Sequence, residues 1–188
     1  CGVIYPWLRE HFAPRLDDVS PEDFYRMINK AQPSLIRTEA DELTYCLHIM
    51  VRYELERRMF AGELTAHDLP AQWNRLYKAY LGVDVPNDRE GILQDSHWAN
   101  GNIGYFPSYA IGSAYGAQYL RQMQKDFDVS AAVATGRLTQ INRWLEEKIW
   151  KYGCMKDPTP LFESVCGPFD PTCYTAYLRD KFTEVYGL

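Results

Sequence analysis

Apolar positions recur along most of the chain at the spacing of a helix. In DFYRMINKA, Phe24, Met27, Ile28 and Ala31 fall at i, i+3, i+4 and i+7, the interval that lines up one helix face. Leu43, Leu47, Met50 and Val51 form a second stripe, and Trp73, Leu76, Tyr77 and Tyr80 a third. Ile141, Trp144, Leu145 and Ile149 form a fourth. Residues 109–127 are again helical in period, and Gly112, Ala114, Gly116 and Ala117 leave room there for a close neighbour. No segment shows the alternation of a strand. At most, a short extended piece is expected around residues 101–106.

The punctuation agrees with the period. Residues 3–12 read as a helix end, stopped near Pro14. Ser20-Pro21-Glu22-Asp23 predicts a helix start, with Ser at the N-cap, Pro in the first turn and an acid three residues on. Thr38-Glu39-Ala40-Asp41 reads as a second capping box and predicts a long helix to about Phe60, with Gly62 past its end. Asp68-Leu69-Pro70 opens another, which ends before Gly82. Helices are also predicted over 139–152, 160–166 and 171–186. The expectation is an all-α chain of about eight helices. Residues 1–188 form a single helical region, because no repeat, low-complexity run or linker divides them.

Composition narrows the function. Apolar residues make up 46% and charged residues 24%, enough for a packed core. A net charge of −5 argues against nucleic acid as a partner, since phosphate binding needs a basic surface. No apolar run approaches the roughly 20 residues of a membrane span, and no signal-peptide pattern opens the chain. The five cysteines are odd in number and lack a CxxC pair, so reduced thiols in a cytoplasmic protein are expected. Aromatics reach 14%, with 14 Tyr. Packing between helices accounts for most of them, and some are left to line a cleft.

The chemistry concentrates in residues 91–118. Gln94, Asp95, His97 and Trp98 fall within five residues. Gly101 and Gly104 follow, and then Tyr105, Phe106 and Tyr109. An acid two residues from an imidazole can fix its tautomer. His97 could then donate to a developing oxyanion, and Tyr105 and Tyr109 could add phenol donors. Core packing of Trp98, Tyr105, Phe106 and Tyr109 explains the same residues equally well. Arg37 suits a carboxylate receptor, or an ordinary ion pair with Glu39, Asp41 or another acid. Asp41 reads first as a cap. His48 reads as a satisfied or surface histidine, and His11 and His67 stand alone. Arg52, Glu56, Arg57 and Arg58 read as a solvated helix face. GxSxG, P-loop, GxGxxG and HExxH patterns are absent.

Two longer patterns carry a resemblance. SLIRTEADELTYCLHIM contains Ile36-Arg37-x-x-Ala40-Asp41, and GILQDSHWANGNIGYFPSYAIGSAYGAQ contains Gly91-x-x-Gln94-Asp95-x-His97-Trp98. These match the IRxxAD and GxxQDxHW patterns, in order, of the thermostable carboxypeptidase Taq family of zinc metallocarboxypeptidases. The chain resembles that family over essentially its whole length. The resemblance implies a multi-helical, zincin-like fold with two lobes flanking a deep cleft. It implies removal of C-terminal amino acids from peptides by metal-activated water, with zinc as cofactor and a homodimeric protein. By it, Arg37 would take the substrate carboxylate, with Asp41, Gln94 and Trp98 shaping the substrate site. His97 and one of Tyr105 and Tyr109 would stabilise the oxyanion, Tyr105 being favoured by analogy with related helical zinc peptidases. Asp95 would orient His97 or another imidazole.

The family's zinc ligands come from HExxH and a following HESQ-like motif, and neither occurs in this sequence. No metal ligand is therefore assigned here, and both motifs are expected upstream of Cys1. The chain is expected to be the C-terminal part of such an enzyme, inactive alone and completed by a missing N-terminal part. The competing expectation is a non-catalytic helical module for peptide binding or assembly.

Overall fold

Helices are the only regular elements among the described residues, 2–188, of the computed structural model. There are nine α-helices there, with two single 3-10 turns. α1 spans Tyr5–His11 and α2 Pro21–Ile28. α2 starts as its sequence predicts: the Ser20 hydroxyl accepts from Asp23 N at 3.0 Å and donates to the Asp23 carboxylate at 2.8 Å. α3 spans Tyr45–Phe60 and α4 Leu69–Leu81, which ends at Gly82 with φ +72°. α5 spans Pro107–Met123, α6 Val129–Ala134 and α7 Leu138–Lys148. α8 spans Pro158–Cys166 and α9 Thr172–Tyr186.

Three local expectations change. The predicted box at Thr38 does not open α3. Arg37–Glu39 forms an isolated 3-10 turn, and the backbone is extended at Ala40 (ψ 142°), which separates the turn from the helix. The turn that leads into α3 is held by Asp41. Its carboxylate accepts from Thr44 N at 3.0 Å and from the Thr44 hydroxyl at 2.9 Å, and it also accepts from Gln32 N at 2.9 Å. A charged acceptor that serves two chain segments is a stronger anchor than the Thr38 hydroxyl. Residues 101–106 form turns rather than an extended piece. α6 lies outside the predicted set; Asp128 caps it by accepting from Ala131 N at 2.8 Å.

The chain divides into two units, and the division falls within α5, after Gly112. The unit Asn29–Gly112 holds α3 and α4. Its apolar core is Val51, Leu55, Trp73, Leu76, Tyr77 and Leu81. Met50, Leu43 and Tyr80, which belong to the predicted stripes, are exposed instead. The other unit comprises the residues up to Ile28 together with Ser113–Leu188. There Met123, Val129 and Trp144 form one cluster. Tyr115 stacks on the fully buried Phe162 with ring centres 3.8 Å apart.

No helix among the described residues is long and apolar enough to cross a membrane. Cys46, Cys154, Cys166 and Cys173 are not in disulfides, and Cys1 lies outside the described residues.

Candidate functional site

The site begins with α3. His48, Arg52 and Glu56 stand at i, i+4 and i+8, so they share one helix face. All three are buried, Arg52 completely. Arg52 and Glu56 were expected on a solvated face; that expectation is overturned. A buried charge costs several kcal/mol unless it is paired, and each finds its partners in residues 94–104. Arg57 stays exposed, as expected.

Asp95 is the hub. Arg37 donates to its Oδ1 through Nε at 3.0 Å and Nη2 at 2.7 Å. Arg52 donates to Oδ2 through Nε at 2.6 Å, and its Nη2 makes a further ion contact with Oδ2. Burial alone would raise the Asp95 carboxyl. The bonds from Arg37 and the charge of Arg52 outweigh it and hold the group below the ordinary carboxylate range. Arg52 also donates to His48 O at 2.7 Å and lies 4.6 Å from the Trp73 ring centre. His48 is sealed beneath, 3.1 Å from the Tyr77 hydroxyl. Desolvation, and then the charges of Arg52 and Arg37, push it down to about 4, so it is neutral at pH 7.

Arg37 is held on several sides. Its backbone N donates to Gln94 Oε1 at 3.0 Å, and its Nη1 donates to the Tyr45 hydroxyl at 3.1 Å. Its guanidinium lies 5.0 Å from the Tyr109 ring centre. Gln94 is used on both ends, since its Nε2 donates to Leu35 O at 3.0 Å. Such bonding makes Gln94 a brace between the 3-10 turn and residues 91–98.

His97 stands beside this hub. Its Nε2 shares a 3.1 Å hydrogen bond with the Tyr109 hydroxyl. Its ring lies 4.5 Å from that of Phe106 and 5.9 Å from that of Tyr105, nearly parallel to the latter. Its Nδ1 is buried without a hydrogen-bond partner among the described residues. Asp95 Oδ1 is 3.9 Å away, beyond hydrogen-bond reach. Partial burial, and then Tyr105, raise the Tyr109 phenol above its ordinary value, which keeps it a proton donor at neutral pH. Tyr105 is half exposed.

The loop between these residues is shaped by glycines. Gly91 is buried, and a Cβ there would meet the Val85 side chain at 2.7 Å. Gly104 has φ +73°, and its N donates to Glu56 Oε2 at 3.2 Å. Glu56 also accepts from Trp98 Nε1 at 2.6 Å.

The structure thus gathers Arg37, Gln94, Asp95, His97, Trp98, Tyr105 and Tyr109 in one unit. Asp41 is taken up by Thr44 and Gln32. The residues missed from sequence are Arg52, Glu56 and His48, together with Tyr45 and Tyr77. The one signal that could have found them is the four-residue spacing of His48, Arg52 and Glu56. Among the described residues no group of three His, Cys, Asp or Glu side chains could hold a metal ion. The donor set is arginine, phenol and a single imidazole. It suits binding and proton donation to an anionic oxygen, and it does not fit a metal centre.

Comparison with known proteins gives the family. The family model for carboxypeptidase Taq (M32) metallopeptidases matches residues 1–182. Carboxypeptidase 1 of Bacillus subtilis is 42% identical over 184 residues, which cover 97% of this chain and 37% of that protein. Thermostable carboxypeptidase 1 of Thermus thermophilus is 41% identical, over 98% of this chain and 36% of its own length. The solved M32 carboxypeptidase of Deinococcus radiodurans superposes with a TM-score of 0.95 at 37% identity, covering all of this chain and 38% of that one. A carboxypeptidase of Pyrococcus furiosus superposes at 0.93 with 40% identity, over 96% of this chain and 37% of that one. The chain therefore spans little more than a third of the length of these relatives.

Proposed function

Because the chain belongs to the carboxypeptidase Taq (M32) metallopeptidase family, we propose that it is the C-terminal, cleft-forming part of a zinc metallocarboxypeptidase. The complete protein would release C-terminal amino acids from peptides. The observation that carries the reading is the His97–Tyr109 pair, with the half-exposed Tyr105 beside it, set against the Arg37–Asp95–Arg52 hub. Such donors suit the oxyanion of a tetrahedral intermediate. His97 supplies the Nε2–H that it shares with Tyr109, since its Nδ1 is buried. Tyr109 orients that ring, and the exposed phenol of Tyr105 is the second donor. Arg37 has one N–H on each terminal nitrogen uncommitted among the described residues. Two parallel donors are what a substrate's terminal carboxylate needs.

Zinc, when bound, supplies activated water and charge for the carbonyl oxygen. Its ligands are proposed to precede this chain in the complete protein, so the residues here bind, orient and donate. We further read the protein as a cytoplasmic homodimer acting on peptides with a free C-terminus.

The test compares a peptide with its C-terminal amide, using the full-length, metal-loaded protein. The free acid should be cleaved and the amide should react roughly 10³-fold more slowly or worse, because the amide leaves the arginine donors unmatched. Equal cleavage of both would remove the carboxylate-receptor role of Arg37. Binding without any cleavage would favour a non-catalytic peptide-binding module.

A further inference from the structure

Glu56 is a buried carboxylate, only 4% exposed. It has no cationic partner among the described residues. Its bonds come from two neutral donors, Trp98 Nε1 at 2.6 Å and Gly104 N at 3.2–3.3 Å. Burying an ionised group against neutral donors is costly, so packing alone is a poor reason for it. The two donors have a particular placement in the chain. Trp98 follows His97, and Gly104 precedes Tyr105. One carboxylate therefore pins both ends of the loop 98–104 at the residues next to the two proposed donors. Within the loop, His97 O accepts from Asn102 N at 2.9 Å and Asn100 N at 3.1 Å. These bonds fix the loop's shape but tie it to nothing outside itself. Its hydrogen-bonded anchor to α3 is Glu56, four residues past the Arg52 that holds Asp95, beside the packing of the Trp98 ring on the core around Trp73.

We propose that Glu56 is a positioning residue, which sets the distance and orientation of His97 and Tyr105 by clamping Trp98 and Gly104. The inference rests on the reading of His97 as an oxyanion donor. It adds that the donor geometry is set from α3, by a side chain that touches no substrate. Misplacing a reacting group by about 1 Å can cost about 10²-fold in rate. Loss of the clamp should therefore fall on turnover rather than on substrate binding.

The experiment is a mutant cycle in the full-length, metal-loaded protein, with folding checked by circular dichroism. Glu56→Ala should lower kcat about 10²-fold with KM changed less than about threefold. Glu56→Gln should stay within about tenfold of the parent, because both donors lie within 3.3 Å of Oε1 and one amide oxygen can take both. Adding Glu56→Ala to a protein that already lacks both donors, His97→Ala with Tyr105→Phe, should cost less than about threefold more, since residues that act as a unit are non-additive. A folded Glu56→Ala protein with full turnover overturns the proposal. So does an equal loss with and without the two donors, which would mark a general structural role. If Glu56→Ala fails to fold, Glu56→Asp, which withdraws the carboxylate by one methylene, carries the same comparison. Full turnover in His97→Ala alone would instead overturn the reading of His97, and the role of Glu56 with it. A loss confined to His97→Ala would overturn only the role of Glu56.

Discussion

The two units solve the problem of a core in opposite ways. In the unit Asn29–Gly112, the interior holds Arg37, Arg52, Glu56 and His48, with Asp95 joining the arginines. In the unit that contains α7, α8 and α9, no charged side chain is buried among the described residues, and the buried amide is that of Gln118. It donates to Pro168 O at 2.9 Å and accepts from Asp170 N at 2.9 Å. The rest is aromatic and aliphatic packing around Trp144 and Phe162. Apolar contacts are non-directional and tolerate exchange of shapes. Paired buried charges do not, because each works only at one distance and angle. The unit that carries the proposed donors is thus the one whose interior specifies positions.

The contrast can be broken most forcefully at Asp95. Asp95→Ala leaves two buried guanidiniums without their carboxylate and should destabilise its unit by about 3–5 kcal/mol, read as a lower denaturant midpoint. A loss under about 1 kcal/mol would mean that the arginines are satisfied without it.

His48 gives a smaller effect that depends on pH. It stays neutral in the folded protein down to about 4, against 6.5 ordinarily. Between those values the unfolded chain binds a proton that the folded one does not. Stability is therefore fully present above about pH 6.5 and falls as pH drops toward 4, by about 3 kcal/mol in all. Unfolding free energies measured from pH 7 to 4 should show this slope, and His48→Gln should flatten it. An unchanged slope in the variant would place the proton uptake elsewhere.

The smallest effect belongs to the apolar unit. Met123→Leu, in the cluster with Val129 and Trp144, should cost less than about 1.5 kcal/mol. A loss as large as that of Asp95→Ala would erase the distinction between the two interiors.

The difference between the units also explains what could be read from the sequence. The helices around Trp73, Trp144 and Ser20 are legible because their apolar faces and caps are local features with a 3.6-residue period. α6 escapes because six residues are too few to show a period. The buried face of α3 escapes for another reason. Charged side chains are ordinarily exposed, so Arg52 and Glu56 read as solvent-facing until their partners are known. Those partners are distant: Arg52 bonds Asp95 43 residues away, and Glu56 bonds Trp98 42 away. Local spacing suggested Asp95 beside His97. The fold places the Asp95 carboxylate between two arginines, one of them 58 residues upstream. Pairings at such separations are products of the tertiary fold, and one sequence does not display them.

The most direct test of the central claim is the turnover of the His97→Ala variant of the full-length protein on a peptide with a free C-terminus, with bound metal quantified. Loss of one oxyanion donor should lower kcat by about 10²–10³ and leave the metal content unchanged. Full turnover with full metal content would contradict the account, because the reaction would then not depend on His97 as a donor.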